Sequence, residues 1–488
     1  MHHAGWFAIG ALMLLVACAS TSPAPVRIPE SAKPHVAQCA RLFEKVERMV
    51  AAHDVRDNQA ELIEGFPYLR VNRFLASFAD EVQGEALNQW LQRLARLDTR
   101  ARSHELANLP TAAGTAPRAD IQERLARCRQ ALQHWDLSHP ARIGLIRKRA
   151  QFPDGYLTWR RLAGLYPVSA WFILLGVEDW QQDVKAKYAG PPPVYEQAVV
   201  YAPPWNTELK ARQVAAILRD SAQNLLEIPL PDQSQRRVLA RAFAPVITLP
   251  VTGPFDRIGR PVWTKKGLPT VKPEPVVYIL FSHTRLGKAS LLQINYLVWF
   301  AARPNRGTFD LLSGRLDGLL WRVTLGRDGK PLLYDSMHPC GCYHMAFPGP
   351  RLEPKPPPTG LQEPLLVPRP APAGSHRMSL YLEPRTHYLV GLSRVMPDGR
   401  HVTYRFQPYD TLRSMPRPAG GHRSLFGAFG IVRGSERPER FFLWPTGVRS
   451  PGAMRQWGRH VTAFVGMRHF DDPYLIERYF DIQSNPRL

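Results

Sequence analysis

The spacing of apolar residues changes along this 488-residue chain, from a helical repeat near its start to strand-like runs after residue 270. Three segments before residue 140 place apolar residues three and four apart, which is the repeat of an amphipathic helix with one face on a core. The three stripes are Val36, Cys39, Ala40, Phe43, Val46 and Val50; Ala86, Leu87, Trp90, Leu91 and Leu94; and Ile121, Leu125, Cys128, Leu132 and Trp135. The pattern predicts a helical domain over residues 35–140.

After residue 270 the pattern is typical of β-strands. Val276–Phe281 and Leu291–Phe300 are apolar runs of strand length. Asp-Gly pairs, the strongest short signal for a hairpin turn, follow at residues 328–329 and 398–399. We therefore expect two antiparallel hairpins, one pairing Leu319–Leu325 with Pro331–Ser336 and the other pairing His387–Val395 with His401–Tyr409.

The chain as a whole is predicted to be an α+β protein, in which the helical domain precedes a larger mixed domain rich in antiparallel strands. Residues 141–270 form a mixed α/β segment, and residues 271–488 form the β-rich domain with a proline-rich insertion at 348–373. In the middle segment, the apolar run Val168–Val177 is shorter than the roughly 20 residues that cross a bilayer. We expect this run to be a buried strand or helix.

The first residues carry a signature of export. Trp6–Ala17 is an apolar run of the length found in signal peptides. Its end, Leu15-Val16-Ala17-Cys18, resembles the lipobox of bacterial lipoproteins. The resemblance implies a signal peptide at 1–17, a Cys18 that carries acyl chains such as palmitate, and a tether over 18–34. Since Ala19 follows the cysteine instead of Asp, it also implies anchoring in the cell envelope at the outer membrane, facing the periplasm.

The remaining four cysteines are an even number, as expected for an exported protein in an oxidising compartment. Cys39 and Cys128 both lie on the apolar stripes of the helical domain, which favours a disulfide between them. Cys340 and Cys342 are left to each other.

The segment Tyr334–Pro348 concentrates reactive side chains, because His338, Cys340, Cys342 and His344 occupy alternate positions. Imidazole and thiolate are the ligands that zinc and copper prefer. Pro339 and Gly341 can bend the backbone and bring the four donors together. This spacing predicts a zinc or copper site. A local Cys340–Cys342 disulfide, simple packing of the turn, and a cysteine nucleophile with His338 or His344 as its base are the alternatives.

The chain has a net charge of +22 and is rich in arginine, which predicts attraction to anionic envelope polymers or lipid phosphates. Nucleic acid is not an expected partner of an exported protein. Arg433, Arg437 and Arg440 form a candidate anion-binding group, and a solvated basic surface is the alternative. Neither Gly-x-Ser-x-Gly nor His-Glu-x-x-His occurs, which removes the main serine hydrolase and zinc protease signatures.

Two functional hypotheses follow from these residues. The first is a metal-dependent, hydrolase-like envelope enzyme that uses the His/Cys cluster, with His283 and His344 in catalytic roles. Metal-bound water, with its pKa lowered to about 7, would be the nucleophile. The second is a non-enzymatic binding or scaffold protein of the envelope, whose basic surface holds anionic polymers and whose Cys-Gly-Cys turn is structural.

The lipobox resemblance generates a direct test. The variant Cys18→Ser lacks the thiol that is acylated, so we expect it to leave the membrane fraction or to remain unprocessed. Fractionation and gel mobility of the two proteins measure this. Unchanged membrane association together with unchanged size would refute lipidation.

Overall fold

The computed structural model describes residues 34–110, 117–204, 208–372, 377–394 and 400–483. It is an α+β structure in which N-terminal helices precede a larger strand-rich region, which confirms the predicted fold class. Cys18, with the rest of the predicted export signal and tether up to residue 33, lies outside the described residues. In the described chain no helix is both long enough and apolar enough to span a membrane.

The α-helices of the described residues are α1 (Pro34–Ala52), α2 (Arg73–Ala76), α3 (Gly84–Asn108), α4 (Arg118–Leu137), α5 (Pro140–Arg149), α6 (Thr158–Ala163), α7 (Tyr166–Ala189), α8 (Ala211–Ser221), α9 (Gln233–Ala242) and α10 (Leu475–Tyr479). The strands are β1 (Glu61–Ile63), β2 (Phe66–Val71), β3 (Val199–Ala202), β4 (Val246–Leu249), β5 (Arg260–Trp263), β6 (Pro269–Lys272), β7 (Val276–Leu286), β8 (Ala289–Arg303), β9 (Gly314–Leu325), β10 (Pro331–Met337), β11 (Met345–Pro348), β12 (Leu352–Pro354), β13 (Ser379–Leu382), β14 (Leu389–Ser393), β15 (Arg400–Thr403), β16 (Arg405–Pro408), β17 (Met415–Pro416), β18 (His422–Arg423) and β19 (Phe480–Ile482).

The predicted helical stripes become the core of the N-terminal region. The apolar faces of α1, α3 and α4 pack around the β1–β2 hairpin. The expected disulfide is present, since Cys39 on α1 is bonded to Cys128 on α4 with their Cα atoms 5.0 Å apart. In the chain-entropy model, closing a loop of this length, 89 residues, stabilises the fold by about 4.5 kcal/mol.

A buried ionic network lies in the same region and has no signal in the apolar periodicity. Arg70 donates to Glu105 at 2.7 Å and to Asp98 at 3.3 Å, while Arg102 contacts Asp98 at 3.2 Å. Glu47 of α1 pairs with Arg102 as well. Removing one partner from such a network leaves a buried charge without compensation and costs about 3–5 kcal/mol. The network therefore fixes α1, β2 and α3 against one another.

The strand-rich region is built on two sheets. One has six strands in the order β11-β10-β9-β8-β7-β16, antiparallel except for the β7–β16 edge, and the other has five in the order β14-β13-β4-β3-β15. The predicted hairpin of β9 and β10 is confirmed, with Pro331 opposite Leu325. A single apolar core, to which Ile294, Tyr296 and Leu380 belong, joins the two sheets and helices α8 and α9.

The second predicted hairpin is wrong. Residues 395–399, which hold its Asp-Gly turn, lie outside the described residues, but the strands on either side do not pair. Strand β14 pairs with β13, whereas β15 pairs in parallel with β3 at the opposite edge of the five-stranded sheet. A turn signal is local, so it cannot report that other strands lie between the two it connects.

The apolar run Val168–Val177 forms part of α7 and is only partly buried, contrary to expectation. Ala170 and Leu174 pack on the body of the protein, whereas Trp171 and Phe172 are exposed. The proline-rich segment 348–373 is also more integrated than a simple insertion, because Leu365 and Leu366 are buried.

Buried polar contacts join the helical region to the strand-rich region. Arg413 donates to the carboxylate of Asp57 at 2.8 Å, and Gln456 donates to the same carboxylate at 3.1 Å. The side chain of Asn108, at the end of α3, donates to the backbone oxygen of Arg413 at 2.8 Å. Burial alone would raise the pKa of Asp57, but Arg413 outweighs it and the pKa is lowered.

The lowered pKa of Asp57 predicts a pH-dependent contribution to stability. The ionised carboxylate stabilises the fold above the unfolded-state pKa, about 3.9, and this contribution is lost as the pH falls through the folded-state value. We expect Asp57→Asn to lower the free energy of unfolding by about 3–5 kcal/mol at pH 7, and the deficit to shrink below about pH 4. Urea unfolding across this pH range measures it.

Asp80→Asn is the control for this prediction, because Asp80 is exposed and makes no ion pair among the described residues. Asp80→Asn should leave the free energy of unfolding nearly unchanged, both at pH 7 and below about pH 4. A deficit for Asp57→Asn that stays constant down to pH 2 would contradict the assignment.

Candidate functional site

The segment richest in reactive side chains forms the loop between β10 and β11. Two backbone hydrogen bonds close it: His338 N–H donates to the Cys342 oxygen at 3.0 Å, and Gly341 N–H donates to the His338 oxygen at 2.8 Å. Gly341 has φ +93°, and a Cβ at this position would collide with the carbonyl oxygen of Val461. The loop therefore requires glycine both for its backbone conformation and for close packing.

The four predicted metal donors do not converge. His338 Nδ1 lies 3.0 Å from Asp317, whereas His344 Nε2 lies 3.3 Å from a different carboxylate, that of Asp335. Nowhere in the described chain do three or more His, Cys, Asp or Glu side chains form a group that could hold a metal ion. The predicted metal-binding group of His338, Cys340, Cys342 and His344 is therefore wrong, and the zinc or copper expected there has no such donor group among the described residues. The loop turns the two imidazoles toward separate carboxylate partners.

The carboxylate of Asp317 is the centre of a buried hydrogen-bonded chain. It accepts from His338 Nδ1 at 3.0 Å and from His387 Nδ1 at 2.9 Å. The other ring nitrogen of His387 lies 3.3 Å from Asp256, and its ring stacks on Phe300 with centroids 3.8 Å apart. The result is a continuous row of contacts, Asp256–His387–Asp317–His338, with hydrogen bonds on both sides of Asp317 and an ion-pair contact between His387 and Asp256.

The electrostatic surroundings of Asp317, His338 and His387 determine which of these groups carry a proton. Burial on its own would raise the pKa of Asp317, but His338 and Arg437 outweigh it and hold the pKa well below its usual range. Burial lowers the pKa of His338 more than Asp317 raises it. Burial also opposes the charged form of His387, but the two carboxylates outweigh it and raise its pKa. At neutral pH His338 is therefore neutral, donates through Nδ1, and keeps Nε2 as an acceptor.

The Nε2 atom of His338 is buried and has no hydrogen-bond partner among the described residues. His338 lines a cavity of about 210 Å³ together with Ser336, whose hydroxyl is also buried and unpartnered. An imidazole with a free acceptor nitrogen beside a cavity can take a proton from a bound molecule.

The two cysteines of the loop are free thiols, so the structure does not contain the alternative, a local Cys340–Cys342 disulfide. Cys340 is buried and Cys342 is partly exposed. The backbone N–H of Cys342 donates to the Cys340 sulfur at 3.4 Å, which holds the two cysteines in one tight turn.

The thiols line a second cavity, of about 240 Å³, which also includes His344 and Glu439. Arg455 is buried beside the loop and donates through Nε to the Cys340 oxygen at 3.1 Å. Tyr343 lines both this cavity and that of His338, so the two spaces adjoin. One loop therefore presents a thiol pair to one cavity and an imidazole to its neighbour.

His344 is buried at the base of the thiol cavity. Burial lowers the pKa of His344 to about 4, so its ring is neutral at physiological pH. Its partner Asp335 accepts a hydrogen bond from Arg322 Nε at 2.8 Å. The guanidinium of Arg322 in turn lies over the ring of Phe470 at 3.6 Å.

His283 is not brought to the loop. Its ring stacks on Phe74 with centroids 5.1 Å apart, and its Nε2 bonds to the Pro229 oxygen at 2.7 Å. Burial lowers the pKa of His283 to about 4. These contacts assign it to the junction of β7 with the helical region.

The three arginines predicted to bind anions do not share one surface. Arg433 is exposed and Arg440 is half-buried. Arg437 is buried, donates to the Leu312 and Leu316 oxygens, and lies 3.4 Å from Asp317. The positive charge of Arg437 is therefore part of the candidate site around Asp317.

Sequence reasoning missed Asp317, His387, Asp256 and Glu439 as parts of this site. A signal existed for Asp317, because the β9–β10 hairpin was predicted and its register sets Leu320 opposite Met337. Continuing that register places Leu319 opposite His338, so Asp317, two residues away on the same face of β9, is a diagonal neighbour of His338. His387 and Asp256 have no such local signal, since they reach the site from other parts of the fold.

No protein family model, curated protein or solved structure matches the chain.

The conformation of Gly341 generates a stability prediction. Gly341→Ala places a Cβ against the Val461 carbonyl at a positive φ, so it should cost more than conformational strain alone. Gly360→Ala is the matched control, since φ is +80° there and no atom lies within 4 Å of the added Cβ.

We expect about 1 kcal/mol for the control and about 1–3 kcal/mol more for Gly341→Ala. Urea unfolding gives both values. A thiol reagent should also react faster with Gly341→Ala, because the loop must move. Equal costs at the two glycines would refute the close packing.

Proposed function

We propose that this protein is a lipid-anchored enzyme of the cell envelope that performs thiol–disulfide exchange at Cys340 and Cys342. The observation that carries the proposal is the pair of free cysteines, two residues apart, that line one cavity, with the backbone N–H of Cys342 donating to the Cys340 sulfur. Two free thiols on one tight turn form a redox pair that can cycle between dithiol and disulfide. The metal-dependent hypothesis is not retained.

Cys340 is the attacking residue of the pair. Burial raises the pKa of a thiol, but the hydrogen bond from Cys342 and the positive charge of Arg437 outweigh it, and the pKa of Cys340 is lowered. The same hydrogen bond, followed by burial, raises the pKa of Cys342 well above its usual value. The thiolate is the nucleophilic form, so the negative charge is concentrated on Cys340.

The reaction proceeds in two balanced steps. The Cys340 thiolate attacks one sulfur of a substrate disulfide, forms a mixed disulfide and releases the other sulfur as a thiolate, which takes up a proton. Cys342 then loses its proton and attacks the Cys340 sulfur, which releases the second substrate thiol and leaves a Cys340–Cys342 disulfide. The substrate is reduced by two electrons and the protein is oxidised by two.

Glu439 is the proton acceptor for the second step. It lines the same cavity, and burial raises the pKa of its carboxyl despite the opposing charges of Arg437 and Arg303. A carboxyl with a raised pKa is a better base toward a thiol than an ordinary one. The cavity, about 240 Å³, is small, which favours a small organic disulfide or a single exposed cystine as substrate.

The proposed location follows from the sequence. The lipobox resemblance at Cys18 supports attachment to the outer membrane on the periplasmic side, an oxidising compartment in which disulfides form and persist. The Cys39–Cys128 disulfide suits such a compartment. A net charge of +22 supports contact with anionic lipid phosphates or envelope polymers as further partners.

The two cysteines provide a matched test, because the same substitution two residues apart should have opposite effects. In Cys342→Ser the attacking thiol remains and the resolving thiol is gone, so oxidised glutathione should leave a stable adduct on Cys340. In Cys340→Ser much less adduct should accumulate, because burial still raises the pKa of the remaining Cys342 thiol. Mass mapping of the reacted proteins measures both.

The wild type should form the Cys340–Cys342 disulfide without a lasting adduct. If neither variant reacts, and both unfold at lower denaturant concentration than wild type, the thiols pack the turn and the non-enzymatic hypothesis is favoured. Equal reactivity of the two variants would also refute the assigned roles.

A further inference from the structure

Among the described residues, the largest group of exposed apolar side chains lies on α6, the first half of α7 and the turn between them. Each of these side chains is 56–74% exposed. The group consists of Trp159, Leu162, Leu165, Val168, Trp171, Phe172 and Leu175. Single exposed apolar residues are common, but a continuous group of this size marks a surface that contacts something apolar. We call these seven residues the apolar face.

The apolar face follows the helical repeat. Val168, Trp171, Phe172 and Leu175 occupy positions i, i+3, i+4 and i+7 of α7, so they lie along one side of the helix. The opposite side, with Ala170 and Leu174, packs on the body of the protein. The exposed apolar residues of α7 are therefore additional to those that pack on the body of the protein. Beyond Gly176 the exposed residues of α7 are mostly polar and charged, so the face has a defined end.

A second segment extends the face. Phe441 and Phe442 are exposed, and the chain that follows them lies beside α6. There Arg161 Nε donates to the Thr446 oxygen at 2.8 Å and Arg160 donates to the Val448 oxygen at 3.1 Å. The exposed aromatic rings of the two segments therefore belong to one region of the surface.

Arginines accompany these aromatic rings. The guanidinium of Arg160 lies over the Trp159 ring at 5.4 Å, and that of Arg440 lies over the Phe441 ring at 4.8 Å. Burial, together with repulsion from Arg160, lowers the pKa of Arg449, which indicates that these two cations are close. Among the described residues no carboxylate forms an ion pair with Arg160, Arg440 or Arg449. The face thus combines apolar groups with uncompensated positive charge.

We propose that the apolar face docks on the surface of a lipid bilayer with anionic head groups. Tryptophan and arginine suit the boundary between acyl chains and head groups, because each has an apolar body and a polar end. Positive charge without paired carboxylates is attracted to lipid phosphates. A symmetric pair of chains would instead bring the same arginines against each other, which is unfavourable.

The length of the chain before the structure is compatible with this contact. Fifteen residues, 19–33, separate Cys18 from Pro34, where α1 begins. A chain of that length reaches at most about 55 Å. A lipid anchor at Cys18 therefore leaves room for the body to approach the bilayer. Docking is a second contact with the membrane, which does not depend on the thiol chemistry.

Photocrosslinking tests the proposal with the full-length protein in vesicles of phosphatidylcholine and phosphatidylglycerol. The photoreactive residue p-benzoylphenylalanine replaces Phe172 in one sample and Val194 in the other. Both positions are exposed and apolar, but Val194 lies beyond the far end of α7. The helix alone separates them by about 25 Å at 1.5 Å per residue.

We expect a lipid adduct from position 172 and no lipid adduct from position 194. The adduct should also decrease in vesicles of phosphatidylcholine alone. A protein–protein adduct at position 172 would show that a second copy covers the face and would overturn the proposal. Absence of any adduct at 172, or equal lipid adducts at both positions, would overturn it as well. Because the Phe172 side chain is exposed, melting temperatures should match wild type in both samples.

Discussion

The carboxylate of Asp317 holds the candidate site together. It accepts hydrogen bonds from His338 and His387 and lies 3.4 Å from Arg437. These residues come from strand β9, the loop after β10, the segment before β14 and the C-terminal part of the chain. Without these partners, the carboxylate would lose its hydration on burial and gain no compensating interaction. Four distant parts of the sequence are thereby fixed around one ion, and the geometry of His338 and of the thiols depends on it.

Buried pairs of oppositely charged side chains recur across the protein. Arginines at the core are buried against carboxylates, so part of the positive charge is not at the surface at all. These arginines are Arg70, Arg102, Arg285, Arg322, Arg413, Arg437 and Arg468. Arg413 with Asp57, and Arg285 with Glu81, join the helical region to the strand-rich one. Arginine content alone therefore overstates the basic surface.

The sequence predicted what depends on local repeats. The stripes of α1, α3 and α4 gave the helical core and placed Cys39 near Cys128, and the Asp-Gly turn at residues 328–329 gave the β9–β10 hairpin. The run Val168–Val177 was misjudged because hydrophobicity does not distinguish a buried face from an exposed one. The four donors at alternate positions suggested a metal because the competing partners, Asp317 and Asp335, could not be seen. Contacts such as His387 with Asp317, 70 residues apart, leave no periodic trace.

The thiol loop owes its shape to residues far downstream. Arg455 donates from its backbone to the Pro339 oxygen and from its side chain to the Cys340 oxygen, and Val461 packs against Gly341. If the chain is exported as proposed, its amino terminus enters the oxidising compartment first, so Cys39 and Cys128 are together there 212 residues before Cys340 arrives (340 − 128 = 212). The structural disulfide can then close before the thiols of the loop are present to compete for it. The loop itself acquires its final form only when more than a hundred further residues have arrived, which makes the order of export a safeguard against mispaired cysteines.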